Sequence, residues 1–196
     1  SIKINIIGKH NAYNVLAVYA LAKYFKLTND EIINGFLKYK SAGLRQNYVN
    51  IGGRLVYIDC FNVCSDSIKS CLDSLEELSI SSSSKKIAIL GGENALGDKT
   101  YEINYNSGKK LTKYKTIDKF IFVGTLTDNK DKINLLGDGK ALYDGAKTIL
   151  KEDKISFYDD IITLSNFISD ETKPGDIILL KGIFRLGLVG ALDLAF

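Results

Sequence analysis

A loop that cradles phosphate turns its backbone N–H groups inward and places a Lys directly after its last Gly. The stretch Gly92-Glu93-Asn94-Ala95-Leu96-Gly97-Asp98-Lys99-Thr100 approaches this pattern, since it follows an apolar run and precedes a helical one. Asp98, however, separates Gly97 from Lys99 and puts a carboxylate where the phosphate would sit. A plain loop-to-helix turn is the simpler reading. Gly137-Asp138-Gly139 fails as a dinucleotide fingerprint, because Leu142 occupies the third-glycine position and Lys132 to Leu136 is a poor strand. His10 is the one histidine, so a Ser–His–acid triad has a single possible base, and no Ser is framed as a nucleophile elbow. Cys60 and Cys64 with His10 match no common zinc spacing.

These groups need elements to position them. Ile2 to Ile7 alternates like a strand and ends at Gly8. Asn11 is expected to cap a helix reaching about Phe25, with Val15, Leu16, Tyr19, Ala20, Ala22 and Tyr24 as its apolar face. Thr28 and Glu31 fit a capping box opening a second helix, whose inner face is Ile32, Ile33, Phe36 and Leu37. Asn47 to Ile51 and Arg54 to Asp59 read as strands joined through Gly52-Gly53, a pair suited to a tight hairpin. Short apolar strands then alternate with helices. The strands are expected at Ile87 to Leu90, Phe120 to Val123, Ile155 to Tyr158 and Asp176 to Leu180. The helices are expected at Asp66 to Leu78, after Gly97, at Gly139 to Leu150 and at Asp160 to Ser169.

That alternation predicts an α/β fold: a Rossmann-like, mostly parallel sheet covered on both faces, with an N-terminal hairpin strand. Such sheets bind ligands beyond the C-terminal ends of their strands, where Asp59, Gly91, Gly124 and Lys181 lie. A boundary is expected near Gly43 to Arg45, dividing residues 1–44 from 45–196.

The 196 residues suit one ordinary domain, or one domain with a piece of a neighbour. A net charge of +3, with Lys and Arg scattered among Asp and Glu, argues against dedicated nucleic-acid binding. No apolar run nears the roughly 18 residues of a membrane helix. No signal peptide is recognised, and three cysteines suggest reduced thiols and a cytoplasmic location. The absence of Met allows a mature product and fits a chain cut from a longer protein better.

Four segments, in order, carry a family resemblance. They are Gly8-Lys9-His10-Asn11-Ala12-Tyr13-Asn14, then Gly43-Leu44-Arg45, then Ile58-Asp59-Cys60-Phe61-Asn62-Val63-Cys64-Ser65-Asp66-Ser67, then Lys173-Pro174-Gly175-Asp176-Ile177-Ile178-Leu179-Leu180-Lys181-Gly182. Ile89-Leu90-Gly91-Gly92 with Leu96-Gly97 is a weaker fifth. Their order and spacing resemble the C-terminal part of the Mur ligases, nearest to the branch that joins D-alanyl-D-alanine to a muramoyl tripeptide. The resemblance implies that residues 1–44 are a short helical remnant ending the central ATPase domain, and that 45–196 are the C-terminal domain. It implies ATP and Mg²⁺ as cofactors, with Mg²⁺ held mainly upstream. The implied partners are a UDP-linked muramoyl peptide and D-alanyl-D-alanine or another amino acid; a monomer without membrane insertion is expected.

The resemblance also assigns roles. Asn14 would contact adenine, whose edge an amide can both donate to and accept from. Arg45 would fork onto the triphosphate. Asp59 would accept the ribose hydroxyls, and Lys181 would meet the carboxylate of the incoming amino acid or dipeptide. His10 would pack near the nucleotide, and Asn62 would line the substrate cleft or shape its turn. No catalytic base and no metal ligand are implied in this chain. Without the resemblance, Asn14 reads as a helix-surface amide and Arg45, Asp59 and Lys181 as surface charges. The pattern departs from the family at Cys64-Ser65, Ile183 and Gly92. These departures fall mostly on the amino-acid side of the cleft. A divergent ligase with another acceptor, or a non-catalytic interaction domain, stays open.

Overall fold

The computed structural model describes residue 4, residues 6–124 and residues 139–196. Ile2, Lys3 and Asn5 of the opening alternation, and the segment from Lys132 to Asp138, lie outside the described residues. Two helices come first, α1 (Asn11–Tyr24) and α2 (Asn29–Lys38). The capping box of α2 forms as expected: Thr28 Oγ1 accepts from Glu31 N, and Glu31 Oε2 accepts from Thr28 N at 2.8 Å. The cap of α1 differs from expectation. His10 holds the cap position without a side-chain cap bond, and Asn11 is the first helical residue. The Asn11 amide is instead turned inward, donating to the Ile7 carbonyl at 2.9 Å.

The expected apolar face of α1 is not buried as such. Val15, Tyr19 and Ala22 are half-buried, but Leu16, Ala20 and Tyr24 are exposed, as are Tyr13, Val18, Leu21 and Phe25. Apolar residues lie all round this helix, so periodicity alone gave it no inner side.

Strands β1 (Asn47–Ile51) and β2 (Arg54–Asp59) form the hairpin with the expected bounds. Gly52 and Gly53 turn it with φ of 56° and 78°, the left-handed pair that suits a two-residue turn. Then follow α3 (Ser65–Glu77), β3 (Lys86–Gly91), α4 (Thr100–Gly108), β4 (Lys119–Val123), α5 (Gly139–Lys147), β5 (Ile155–Tyr158), α6 (Ile161–Glu171), β6 (Ile177–Lys181) and α7 (Leu188–Ala195). The six strands lie in the order β1-β2-β6-β3-β4-β5. Among the described residues, only the β1–β2 pair is antiparallel. Helices α3, α4 and α5 pack in sequence as one layer, and α6 and α7 pack on each other as a second.

Every residue of β3 and β6 is buried, as expected for central strands covered on both faces. Tyr57, Phe120 and Phe122 are among the largest fully buried side chains, each stabilising by about 1.5–3 kcal/mol. Polar groups pin the strand starts. The Asp176 carboxylate, fully buried, accepts from the backbone N–H of Lys85 at 2.8 Å and of Lys173 at 2.9 Å. It thereby fixes the beginnings of β3 and β6 together, which sets the level at which their far ends finish. Buried Lys86 donates to the Glu76 carbonyl at 2.7 Å and closes the C-terminal end of α3.

Candidate functional site

Parallel pairing of β2 with β6 sets Asp59 beside Lys181 at the last paired position. Their side chains meet below the surface. Lys181 Nζ donates to Asp59 Oδ2 at 2.7 Å, with Lys181 1% and Asp59 7% exposed. The same ammonium donates to the Asn62 carbonyl at 2.8 Å. Cys71, on the α3 layer, donates to Asp59 Oδ2 at 3.2 Å and stands 3.4 Å from the Tyr57 hydroxyl. Asp59 Oδ1 accepts from no donor among the described residues. Burial, and then the Asp59 charge, push the Cys60 and Cys71 thiols up to about 12. Removing one partner of such a pair leaves the other charge buried, which costs about 3–5 kcal/mol.

The loop after Asp59 ties this pair to the segment before the hairpin. Cys60 N–H donates to the Leu44 carbonyl at 2.8 Å, and the exposed Arg45 guanidinium stacks on Phe61, 3.9 Å from its centroid. Asn62 is exposed; its own Oδ1 accepts from Val63 N–H at 2.9 Å and shapes the turn. Arg45, Asp59, Asn62 and Lys181 are therefore brought into one neighbourhood. The next turn is closed internally. Glu93 Oε2 accepts from Ser65 N–H and Oγ, both at 2.8 Å, so a carboxylate of the chain occupies the first turn of α3. Asn104, buried, holds the Glu93 backbone at 2.7 and 2.8 Å. The stretch from Gly92 to Thr100 is thus a tethered turn into α4, not an open cradle for phosphate.

His10 and Asn14 lie apart from this group. Gln46 Nε2 stands 2.9 Å from His10 Nε2, and Gln46 Oε1 accepts from Asn11 Nδ2 at 2.8 Å. Asn14 Nδ2 donates to Asn11 Oδ1 at 3.2 Å. Asn14 is exposed on the wall of an apolar cavity of about 420 Å³ between α1 and α2, which Val15, Leu27 and Phe36 also line. Asp59 is not among the residues lining that cavity. Among the described residues, hydrogen bonds run from Asn14 through Asn11 to Gln46, the neighbour of Arg45, while the cavity that Asn14 lines does not reach Asp59. Sequence reasoning gave Asn11 only as a cap and Glu93 only as part of a loop, and it missed Gln46 and Asn104. A buried amide next to a helix start carries no signal of its own, because its partners are distant in the chain.

Among the described residues, no group of His, Cys, Asp and Glu side chains is arranged to hold a metal ion. No helix of the described residues is long and apolar enough to cross a membrane.

This architecture, a mostly parallel six-stranded sheet with a leading antiparallel hairpin, is the fold of the Mur ligase C-terminal domain. It overlays MurF from Acinetobacter baumannii with a TM-score of 0.78 at 19% identity, covering 99% of this chain and 39% of that one. It overlays MurF ligase from Thermotoga maritima, solved in complex with ADP, with a TM-score of 0.73 at 19% identity, covering 99% of this chain and 40% of that one. In sequence the chain is similar to UDP-N-acetylmuramoyl-tripeptide–D-alanyl-D-alanine ligase of Bacillus subtilis (strain 168). That match is 27% identical over 179 residues, 91% of this chain and 36% of the relative. The chain thus spans little more than a third of the proteins it resembles. No protein-family model matches it.

Proposed function

We propose that this chain is the lid part of an ATP-dependent ligase that forms an amide bond on a cell-wall precursor, adding D-alanyl-D-alanine to a UDP-linked muramoyl tripeptide. The observation that carries this reading is the Asp59 carboxylate. One oxygen is held by Lys181, and the other accepts from no described donor. It stands at a strand's C-terminal end, where α/β sheets take ligands, with Arg45 stacked close by. This set fits a nucleotide: Asp59 Oδ1 for ribose hydroxyls, the Arg45 fork for phosphate oxygens, and the exposed Asn14 amide for a purine edge. When bound, ATP would supply the phosphoryl group that activates the substrate carboxylate. The chain's own part is to orient and enclose. His10 holds the hinge through Gln46, and Asn62 lines the cleft. Magnesium finds no ligand set of His, Cys, Asp and Glu among the described residues.

Residues 1–44 and 45–196 are proposed as parts of two domains that turn on residues 43–46. Support comes from α1, whose exposed Leu16, Leu21 and Phe25 need a cover. Support also comes from Gly43 and Gln46, with φ of 57° and 49°. Such a turn is what would bring Asn14 and Asp59 to one nucleotide. The test is ATP-dependent phosphate release by the full-length parent across a panel of amino acids and D-alanyl-D-alanine, with Arg45→Ala compared. Loss of a phosphate-facing donor is expected to lower turnover by about 10²–10³. Unchanged turnover and ATP affinity in Arg45→Ala would refute the reading.

A second reading, a non-catalytic interaction domain, is favoured by one feature. The amino-acid side of the cleft carries Cys64, Ser65 and Ile183 in place of the family pattern, and Glu93 fills the first turn of α3. Absence of a G-T-[NK]-G-K-[ST] loop upstream in the parent would support it.

A further inference from the structure

Lys181 is the buried cation of the site, and its chemistry is already engaged. Two of the three donors of its ammonium are taken by Asp59 Oδ2 and the Asn62 carbonyl, at 2.7 and 2.8 Å, under a surface that leaves it 1% exposed. The third donor lies under that same cover, so an incoming carboxylate finds no exposed ammonium to meet, and taking over either of the two engaged donors would leave a buried acceptor unpaired. The parallel register fixes the pairing as well. Asp59 and Lys181 are opposed on adjacent strands, and both strands are anchored at their other ends through Asp176 and its neighbours.

We infer that Lys181 is a positioning residue of the nucleotide side rather than the receptor for the incoming amino acid or dipeptide. It holds Asp59 by Oδ2, so that Oδ1 is the oxygen presented to a ligand. It also pins the Asn62 carbonyl, which fixes the short loop carrying Phe61 beneath Arg45. One cation therefore sets both groups that would face the sugar and the phosphates. Specificity for the acceptor must then come from elsewhere in the cleft. This inference rests on the reading of Asp59 as a ribose contact.

The test uses the full-length parent protein, with binding of ATP and of 2′-deoxy-ATP measured alongside the KM for D-alanyl-D-alanine. Asp59→Asn is expected to weaken ATP and to shrink the preference for ATP over 2′-deoxy-ATP. Lys181→Met is expected to do the same, by about tenfold in ATP affinity, while the acceptor KM stays within twofold. Lys181→Arg should retain part of the preference. Where Lys181→Met leaves Asp59 buried and unpaired and the protein does not fold, the double variant Lys181→Met with Asp59→Asn removes that charge. Its nucleotide affinity should equal that of Asp59→Asn alone, with the acceptor KM unmoved. A rise of tenfold or more in acceptor KM, with ATP affinity and the sugar preference intact in Lys181→Met, overturns the inference. In the double variant, the same rise relative to Asp59→Asn does so equally. The two failures are separable: if Asp59→Asn itself leaves ATP binding unchanged, the ribose reading falls first and the positioning role falls with it.

Discussion

The three thiols sit in unlike surroundings. Cys60 and Cys71 are buried, and Cys64 is exposed just ahead of α3. Native labelling with a maleimide at pH 7.5 is expected to modify Cys64 rapidly and to leave Cys60 and Cys71 until the chain is unfolded; rapid uptake of more than one label contradicts the packing around Asp59. The same burial predicts alkaline sensitivity. Folding raises both buried thiols from an ordinary value of 9.0 to about 12. Below 9 both states keep their protons, and the contribution to stability is whole. Above 9 the unfolded chain gives up protons that the folded chain holds, so stability falls as pH climbs toward 12. Thermal midpoints measured from pH 8 to 11 should decline, and less steeply in Cys60→Ala/Cys71→Ala. Asp59 and Lys181 could be picked from the sequence as strand-end groups, yet their pairing could not. They are separated by 122 positions, and only the insertion of β6 beside β2 brings them together. Gln46 was equally hidden, since nothing in its neighbours announces contacts with His10 and Asn11.

Helices α4 and α5 cross at glycine. A Cβ on Gly145 would land on the Tyr105 carbonyl, and one on Gly108 would land on the Leu142 carbonyl. Gly145→Ala should therefore destabilise by about 2 kcal/mol, read as a lower denaturant midpoint with an unchanged slope. A neutral or stabilising effect would show that the helices do not approach so closely. The elements with internal signals were the ones legible in sequence. The capping box of α2, the Gly52-Gly53 hairpin and the short apolar strands each carry their own instruction. Helix α7 was missed because Gly187 precedes it in a left-handed conformation with no side-chain cap. The side of α1 was misjudged because apolar residues surround it.

At the scale of the molecule, the sheet was legible because strands buried on both faces read as continuous apolar runs. The setting of the opening helices was not, since it depends on a surface that the residues of α1 do not supply for themselves. The 196-residue chain is expected to bind an apolar dye and to self-associate through α1. Replacing Leu16, Leu21 and Phe25 with Lys should abolish dye binding and leave the main melting transition in place. Dye binding that survives would put the sticky surface elsewhere. The Leu44 carbonyl accepts a hydrogen bond from the backbone N–H of Cys60, the residue directly after Asp59. If the chain turns on residues 43–46 as proposed, that motion would tug on the very peptide next to the carboxylate, and a loosened hinge would be expected to loosen the grip as well.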